Sequence, residues 1–415
     1  MSPAPRRAHL SITGGTGYIG QAVVDEALAS GRAVTLLGRR GGPARPGVRP
    51  LPWRLGEPLP AEALDPRWPA ADQAVIHLAH DWDAEGRPED PNVTASRTLR
   101  DGARALGLGR FVFVSSLSAR REALNRYGRA KWAAQALFDA PGEISLRVGL
   151  VYGGPAVAMF GLLRRIVGLT PVLPMIEPRQ PVQPIHRDET ARGILLAVDS
   201  DLCGSVGLAG PDPIPFARFL DLLAMRTRAG HVLVLPVPLA PVLAACRIVN
   251  ALPVGPKGLA ERVLGLAGTR FLETLADLGR LGLAVRPFAD GMAGEPVSRR
   301  LLLAEGRRFL RHVLRAEPGG ALVRRYARAV LKDGPAGALA LGFRGRLLRF
   351  AEPVGGRSEL RRRLALALAL AEASPEGERA LSRRGRTGRT ASLVVDLAVE
   401  TLALPVRLVA GLIAR

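Results

Sequence analysis

Over the first forty residues the apolar positions change period twice. Ala8-His9-Leu10-Ser11-Ile12-Thr13 is a short run that suits a buried parallel strand. Gly14-Gly15-Thr16-Gly17-Tyr18-Ile19-Gly20 follows as a turn, and from Gln21 to Ser30 the residues Ala22, Val23, Ala27 and Leu28 share one side of a helix. Ala33 to Leu37 is the next apolar run and predicts a second strand. Further on, Met159-Phe160-Gly161-Leu162-Leu163 with Ile166-Val167-Gly168-Leu169 reads as one apolar wall, and Val232 to Leu252 as another. Ordinary core helices would give the same pattern.

Beyond residue 292 the pattern changes again. Leu302, Phe309, Leu310, Val313 and Leu314 recur at helical spacing among Arg299, Arg300, Arg307, Arg308, Arg311 and Arg315. Val323, Tyr326, Val330 and Leu331 repeat it, and Gly and Pro at 318–320, 334–337 and 353–356 punctuate the helices. Arg383 to Thr390 reads as a basic linker, and Ser392 to Ala414 as a last helix kinked at Pro405. Residues 293–415 hold 24 Lys/Arg against 11 Asp/Glu, so most of the chain's net charge of +21 lies there.

Composition narrows the class. A chain of 415 residues with 47% hydrophobic and 5% aromatic content has room for two domains built on Ala, Leu and Val. Cys203 and Cys246 cannot make a disulfide framework, which points to a reducing, cytoplasmic setting. Met1 to Arg7 lacks an apolar signal core. Val232 to Cys246 comes nearest to a membrane span but is short and carries Pro236, Pro238 and Pro241.

Three features carry candidate chemistry. A glycine-rich turn between a strand and a helix is the context of a dinucleotide site: Gly14 for the turn, Gly17 for backbone approach to a pyrophosphate, Gly20 for close helix packing. The second strand ends in Gly38-Arg39-Arg40, where an acidic residue would suit the ribose of NAD; two guanidinium groups suit a 2′-phosphate. Tyr127 and Lys131 stand one helical turn apart in a chain with only four tyrosines and three lysines. A cation beside a phenol stabilises the phenolate and lowers its pKa.

With these segments the chain resembles an extended or atypical short-chain dehydrogenase/reductase of the NAD-dependent epimerase/dehydratase superfamily, over roughly residues 6–292. Thr13 to Gly20 is similar to the family's glycine turn, and Val75-Ile76-His77-Leu78-Ala79 to the strand that passes the cofactor. Phe111-Val112-Phe113-Val114-Ser115-Ser116 is similar to the strand that ends in the active-site serine. Leu146 to Gly153 resembles the segment beside the nicotinamide, with Val148 where proline is usual, and Pro184-Ile185-His186-Arg187-Asp188 a later family segment.

The resemblance implies roles. Tyr127 would move a proton at a carbonyl or alcohol, Ser116 would hydrogen-bond the same oxygen, and Lys131 would hold the nicotinamide ribose and lower the tyrosine pKa. Ser115 is the fallback for Ser116, with Ser118 behind it. Gly14, Thr16, Gly17, Tyr18, Ile19, Gly20, Arg39, Arg40, His77, Leu78 and Ala79 would hold the cofactor, with NADP(H) preferred over NAD(H). His77, His186 and Asp188 read as packed or structural rather than as bases, and no metal site is assigned. Two departures stand out. Ser116 and Tyr127 are eleven residues apart, a short spacing similar to the branch that holds the nucleotide-binding accessory subunit of respiratory complex I. Trp53-Arg54-Leu55-Gly56 lacks the aspartate with which many relatives contact adenine.

The expected architecture is α/β: a Rossmann-type doubly wound parallel sheet with a small substrate lobe (mainly 155–184 and 205–290) in residues 6–292, then a basic, all-helical appendage in 293–415. The expected activity is an NADP(H)-dependent oxidoreductase acting on a carbonyl or alcohol of an apolar substrate, since the lobe is apolar where a sugar nucleotide would need polar groups. A nucleotide-sugar epimerase or dehydratase, and a non-catalytic NAD(P)-binding subunit, are the rival readings. For the basic tail, peripheral contact with anionic membrane is weighed against a solvated helical bundle. Nucleic acid is disfavoured, because aromatic residues are nearly absent there (Phe309, Tyr326, Phe343 and Phe350).

Overall fold

The computed structural model describes residues 7–40, 42, 45–82, 90–228, 231–242, 244, 264–265, 269–293, 299–332 and 359–382. The predicted basic linker, the last helix, the helix punctuation at 334–337 and 353–356 and, from Val232 to Leu252, residues 243 and 245–252 lie outside these residues. The chain divides into two compact units, Met1–Asp221 with Leu233–Met292, and Leu222–Val232 with Ala293–Arg415.

The first unit is built on a seven-stranded sheet. Its strands are β1 (His9–Thr13), β2 (Ala33–Gly38), β3 (Val48–Pro52), β4 (Gln73–His77), β5 (Arg110–Ser116), β6 (Glu143–Val148) and, from late in the chain, Gly204–Leu208. The order is β3-β2-β1-β4-β5-β6 followed by that last strand, all parallel. This is the doubly wound arrangement in which the order reverses between β1 and β4, and ligands bind outside the carboxyl ends of the strands at that point.

Helices cover both faces. α1 (Tyr18–Ala29), α2 (Pro91–Ala105) and α3 (Arg126–Gln135) follow β1, β4 and β5. The alternation of a strand decides which layer each residue feeds. Val112 and Val114 of β5 join the core under α1, with Leu10, Ile12, Val23, Ala27, Ile76 and Ile194. Phe111 and Phe113 join the other core, with Val93, Leu99, Ala130, Ala134 and Phe138 under α2 and α3. α1 begins at Tyr18, three residues before the expected Gln21, because Gly17 in extended backbone serves as its N-cap.

The apolar lobe is made of short elements: β7 (Leu150–Tyr152), α4 (Ala158–Leu169), β8 (Val172–Met175), β9 (Pro181–Val182) and β10 (Pro184–His186), then α5 (Arg187–Asp199). The seventh sheet strand, Gly204–Leu208, is β11; β12 (Ile214–Pro215), α6 (Phe216–Arg228), β13 (Leu233–Pro236), α7 (Leu275–Leu281) and α8 (Phe288–Ala293) follow. α4 divides the first apolar wall: Phe160, Leu163 and Val167 are core, whereas Leu169 is 79% exposed.

Besides the second half of α6, the second unit contains the described helices α9 (Arg299–Leu314), α10 (Gly320–Lys332), α11 (Glu359–Glu372) and α12 (Pro375–Ser382). Leu302, Phe309, Leu310, Val323, Tyr326, Val330, Ala367 and Ala371 form its own core. Within that core the buried Glu305 carboxylate accepts from the Tyr326 hydroxyl at 2.6 Å and from the Arg363 guanidinium at 3.1 Å. A buried charge is tolerated only with such partners. No helix of the described residues is long and apolar enough to cross a membrane.

Candidate active site

β1 runs into a turn that only bare backbone can make. Gly14 sits at φ 70°, the left-handed region that glycine enters without strain, and its carbonyl accepts from the Gly17 N–H at 3.0 Å. A Cβ on Gly20 would overlap that same carbonyl and the Cα of Gly15. Gly20 therefore lets α1 close onto the turn itself, a nearer contact than the strand packing expected of it. No side chain caps the start of α1, and Thr16 and Gly17 are exposed. The uncapped N–H groups, with the helix dipole behind them, suit an anion such as a pyrophosphate. A dinucleotide thus fits the residues present, with the backbone of Gly14 to Gly20 as its cradle. Ile19 turns its side chain into the core and would contribute backbone alone.

Tyr18 and the end of β4 complete the rim. The Tyr18 hydroxyl donates to the Gly153 carbonyl at 2.6 Å, its own carbonyl accepts from Arg187 at 2.7 Å, and the guanidinium lies 5.6 Å from its ring. β7 and β10 pair in parallel, His186 opposite Tyr152. Two sequence segments more than thirty residues apart therefore arrive together beside the glycine turn. The Leu78 and Ala79 N–H groups bond the Thr13 carbonyl and hydroxyl, so β4 ends against Gly14. His77 is fully packed: one ring nitrogen meets Thr13 Oγ1 at 2.7 Å and the other Ser96 Oγ at 3.2 Å. Burial and the nearby Lys131 hold its pKa down at about 3, so it is neutral. Its ring is committed to bracing β1, β4 and α2, and of the predicted cofactor residues it offers no ring nitrogen to a ligand. His186 caps α5, accepting from the Asp188 N–H within a capping box with Glu189, as the structural reading expects.

The three candidate catalytic residues meet at the ends of β5 and α3. Asn125 caps α3 through Gly128, which fixes where Tyr127 emerges. Ser116 lies close enough to Tyr127 to favour its phenolate, and the Ser116 hydroxyl contacts Ser118 Oγ at 2.9 Å. Ser115 points elsewhere, donating to Gln135 at 2.9 Å, so it cannot stand in for Ser116. The Lys131 ammonium donates to the Val114 carbonyl at 2.8 Å and lies 4.7 Å from the Phe113 ring centre and 6.0 Å from that of Tyr127. Burial pushes the Lys131 pKa down to about 8 and the Tyr127 phenol up to about 12, Ser116 offsetting part of the latter. The expected lowering of the tyrosine by the lysine is not seen in this state: burial raises the phenol, and Ser116 alone works against it.

Two aromatic residues that the sequence reading passed over frame Tyr127. Trp82 stacks on its ring at 4.9 Å and 13°, and His80 meets it edge-on at 4.9 Å. His80 is held neutral, its pKa down at about 3, by burial and by Lys131. A third histidine position after β4 and a tryptophan in an aromatic-poor chain were the available signals. Asp90 pins the neighbourhood, capping α2 and accepting from Arg126 Nε at 2.8 Å.

Arg39 and Arg40 are exposed at the end of β2, without a hydrogen bond or ion pair among the described residues. Trp53 is buried, its indole N–H donating to the Pro58 carbonyl at 3.1 Å, so it fills core space beside the missing adenine contact.

Comparison with known proteins agrees with this geometry. Residues 10–137 match the NAD dependent epimerase/dehydratase family. A ceramide reductase of Caulobacter vibrioides is 30% identical over 210 residues, which is 49% of this chain and 65% of that protein. The chain therefore aligns with just under two thirds of that relative's length. Among solved structures, the terminal R domain of the myxalamid PKS–NRPS pathway aligns with a TM-score of 0.51 at 15% identity, over 70% of this chain and 89% of that one. An epimerase from Methanothermobacter thermautotrophicus gives 0.51 at 13% identity, over 69% and 90%. These two likenesses are of fold. Turn, sheet order and matched segment agree: residues 10–137 are similar to the NAD dependent epimerase/dehydratase family and carry a dinucleotide-type strand–turn–helix unit.

Proposed function

We propose that the chain is an NADP(H)-dependent oxidoreductase of the short-chain dehydrogenase type, acting on a carbonyl or secondary alcohol of an apolar, lipid-like substrate. The observation that carries the reaction type is the meeting of Ser116, Tyr127 and Lys131 at the carboxyl ends of the sheet strands. A bound nicotinamide supplies or accepts the hydride. In the reductive direction the Tyr127 O–H donates its proton to the carbonyl oxygen as that oxygen gains charge. The Ser116 hydroxyl donates a hydrogen bond to the same oxygen and fixes its direction. The Lys131 ammonium, on the same helix, stabilises the phenolate left behind until solvent returns the proton.

Two further observations support the finer reading. Exposed Arg39 and Arg40 suit a ribose 2′-phosphate, which favours NADP(H) over NAD(H). β8 and β13 pair with Leu233 opposite Val172 and Leu235 opposite Pro174, and these four apolar residues are exposed on the lobe. Such residues suit an acyl chain and offer nothing to a sugar diphosphate. The relative named a ceramide reductase supports the same reading, a reductase acting on a lipid.

A second reading, a cofactor-binding subunit without turnover, draws on the short Ser116–Tyr127 spacing and on Trp82 stacked over the phenol. Net NADPH consumption separates the readings. The purified chain is expected to oxidise NADPH, and NADH at least tenfold more slowly, when given a long-chain ketone ceramide in detergent. Tight NADPH binding with no consumption would favour the non-catalytic role, and conversion of a nucleotide sugar without net NADPH loss would favour an epimerase.

A further inference from the structure

The second unit concentrates positive charge on helices whose carboxylates are used up. On α9 the side chains of Arg307, Arg308 and Arg311 are exposed; on α10 those of Arg324, Arg325, Arg328 and Lys332 are. Each row repeats every three or four residues, so each occupies one side of its helix. The carboxylates described on these two helices and in their connection are accounted for. Glu305, the carboxylate on α9 within residues 301–314, is buried against Tyr326 and Arg363, and α10 contains none. Glu317, in the connection between them, pairs with Arg311. Arg307, Arg308, Arg324, Arg325, Arg328 and Lys332 make no hydrogen bond or ion pair among the described residues.

The rows are also amphipathic at their edges. Arg307, Arg308 and Arg311 rim a half-open recess of about 360 Å³ on α9, lined among the described residues also by Leu303 and Ala304. Leu331, beside Lys332 on α10, is 50% exposed. Guanidinium groups over short apolar side chains match a surface that is anionic outside and hydrocarbon beneath. A nucleic acid would use an aromatic platform for its bases, and the aromatic residues of these helices, Phe309 and Tyr326, are wholly buried in the bundle core.

We propose that the second unit docks on the surface of an anionic phospholipid bilayer through the cationic rows of α9 and α10, with a lipid phosphate seated among Arg307, Arg308 and Arg311. The inference stands on the second unit alone and does not depend on the reaction proposed for the first. Anionic headgroups replace the missing counter-ions, and each arginine brought to the surface strengthens binding about fivefold. Attraction of this kind is screened as the Debye length falls from about 10 Å at 0.1 M salt to about 3 Å at 1 M.

Flotation of the full-length chain with vesicles tests it. The chain should float with phosphatidylglycerol–phosphatidylcholine vesicles at 0.1 M salt, be released at 1 M, and stay behind with phosphatidylcholine alone. The double variant Arg307→Gln/Arg308→Gln should weaken vesicle binding about 25-fold. Adding Arg324→Gln, Arg325→Gln and Arg328→Gln should abolish it, while lysine at the same five positions should retain it. Glutamine keeps helix propensity at these exposed sites, and an unchanged thermal midpoint and circular dichroism spectrum would confirm that each variant folds. Equal flotation with both vesicle types, full binding by the five-fold glutamine variant, or tighter binding of an RNA or DNA duplex than of anionic vesicles would overturn the proposal.

Discussion

Lys131 and Tyr127 share a helix turn, and burial moves both in the direction of the neutral form: the ammonium down to about 8, the phenol up to about 12. A lysine whose folded pKa is depressed to about 8 binds fewer protons folded than unfolded between that value and its ordinary 10.5, so stability rises with pH across that window. The tyrosine works the other way, its contribution intact below its ordinary value near 10 and lost as pH rises toward 12. Between pH 8 and 10 the lysine therefore dominates. Without cofactor, wild-type stability to urea should rise by about 2 kcal/mol over that interval relative to Lys131→Met. Parallel pH profiles for the two proteins would show that Lys131 is not strained by its burial. His77 and His80 both titrate far below neutral pH in the folded chain, so stability should rise with pH between about 3 and 6.5, where only the unfolded imidazoles are protonated, and level off above.

At the scale of elements, the strand–turn–helix unit of Thr13 to Ala29 was readable because each of its residue types answers a local demand. Gly14 needs a positive φ, and Gly20 must lack a Cβ because the carbonyl of Gly14 occupies that space. Gly20→Ala should cost about 1–3 kcal/mol by overpacking and weaken NADPH binding at least tenfold by opening the turn. A urea midpoint and a fluorescence titration that both match the wild type would contradict this account of the turn. The Tyr127–Lys131 pair was legible for the same reason, since helical spacing alone sets it. Ser115 and Ser116 were separable only through strand alternation, which sends one hydroxyl to Gln135 and the other to Ser118 on the side of Tyr127. Trp82 and His80 escaped notice because a contact across more than forty residues of chain leaves no periodic trace. The apolar wall over α4 was half core, and nothing in its composition distinguishes Phe160, which is buried, from Leu169, which is not.

At the scale of the molecule, the two units are stabilised in different ways. The first is a three-layer α/β domain whose two cores take alternate residues of the same strands. The second is a small bundle whose interior holds an Arg–Glu–Tyr network and whose outside collects arginine. The charge excess of residues 293–415 was visible in composition, but only the bundle reveals that Glu305 is spent inside it and leaves the outer rows uncompensated. The central claim concerns the first unit, where a phenol on α3 is to move a proton at the cofactor. It is tested most directly by NADPH oxidation with a long-chain ketone lipid, wild type beside Tyr127→Phe, with NADPH affinity measured in both. Loss of a positioned general acid should lower turnover at least about 100-fold with NADPH binding unchanged. Equal turnover by Tyr127→Phe would contradict the account.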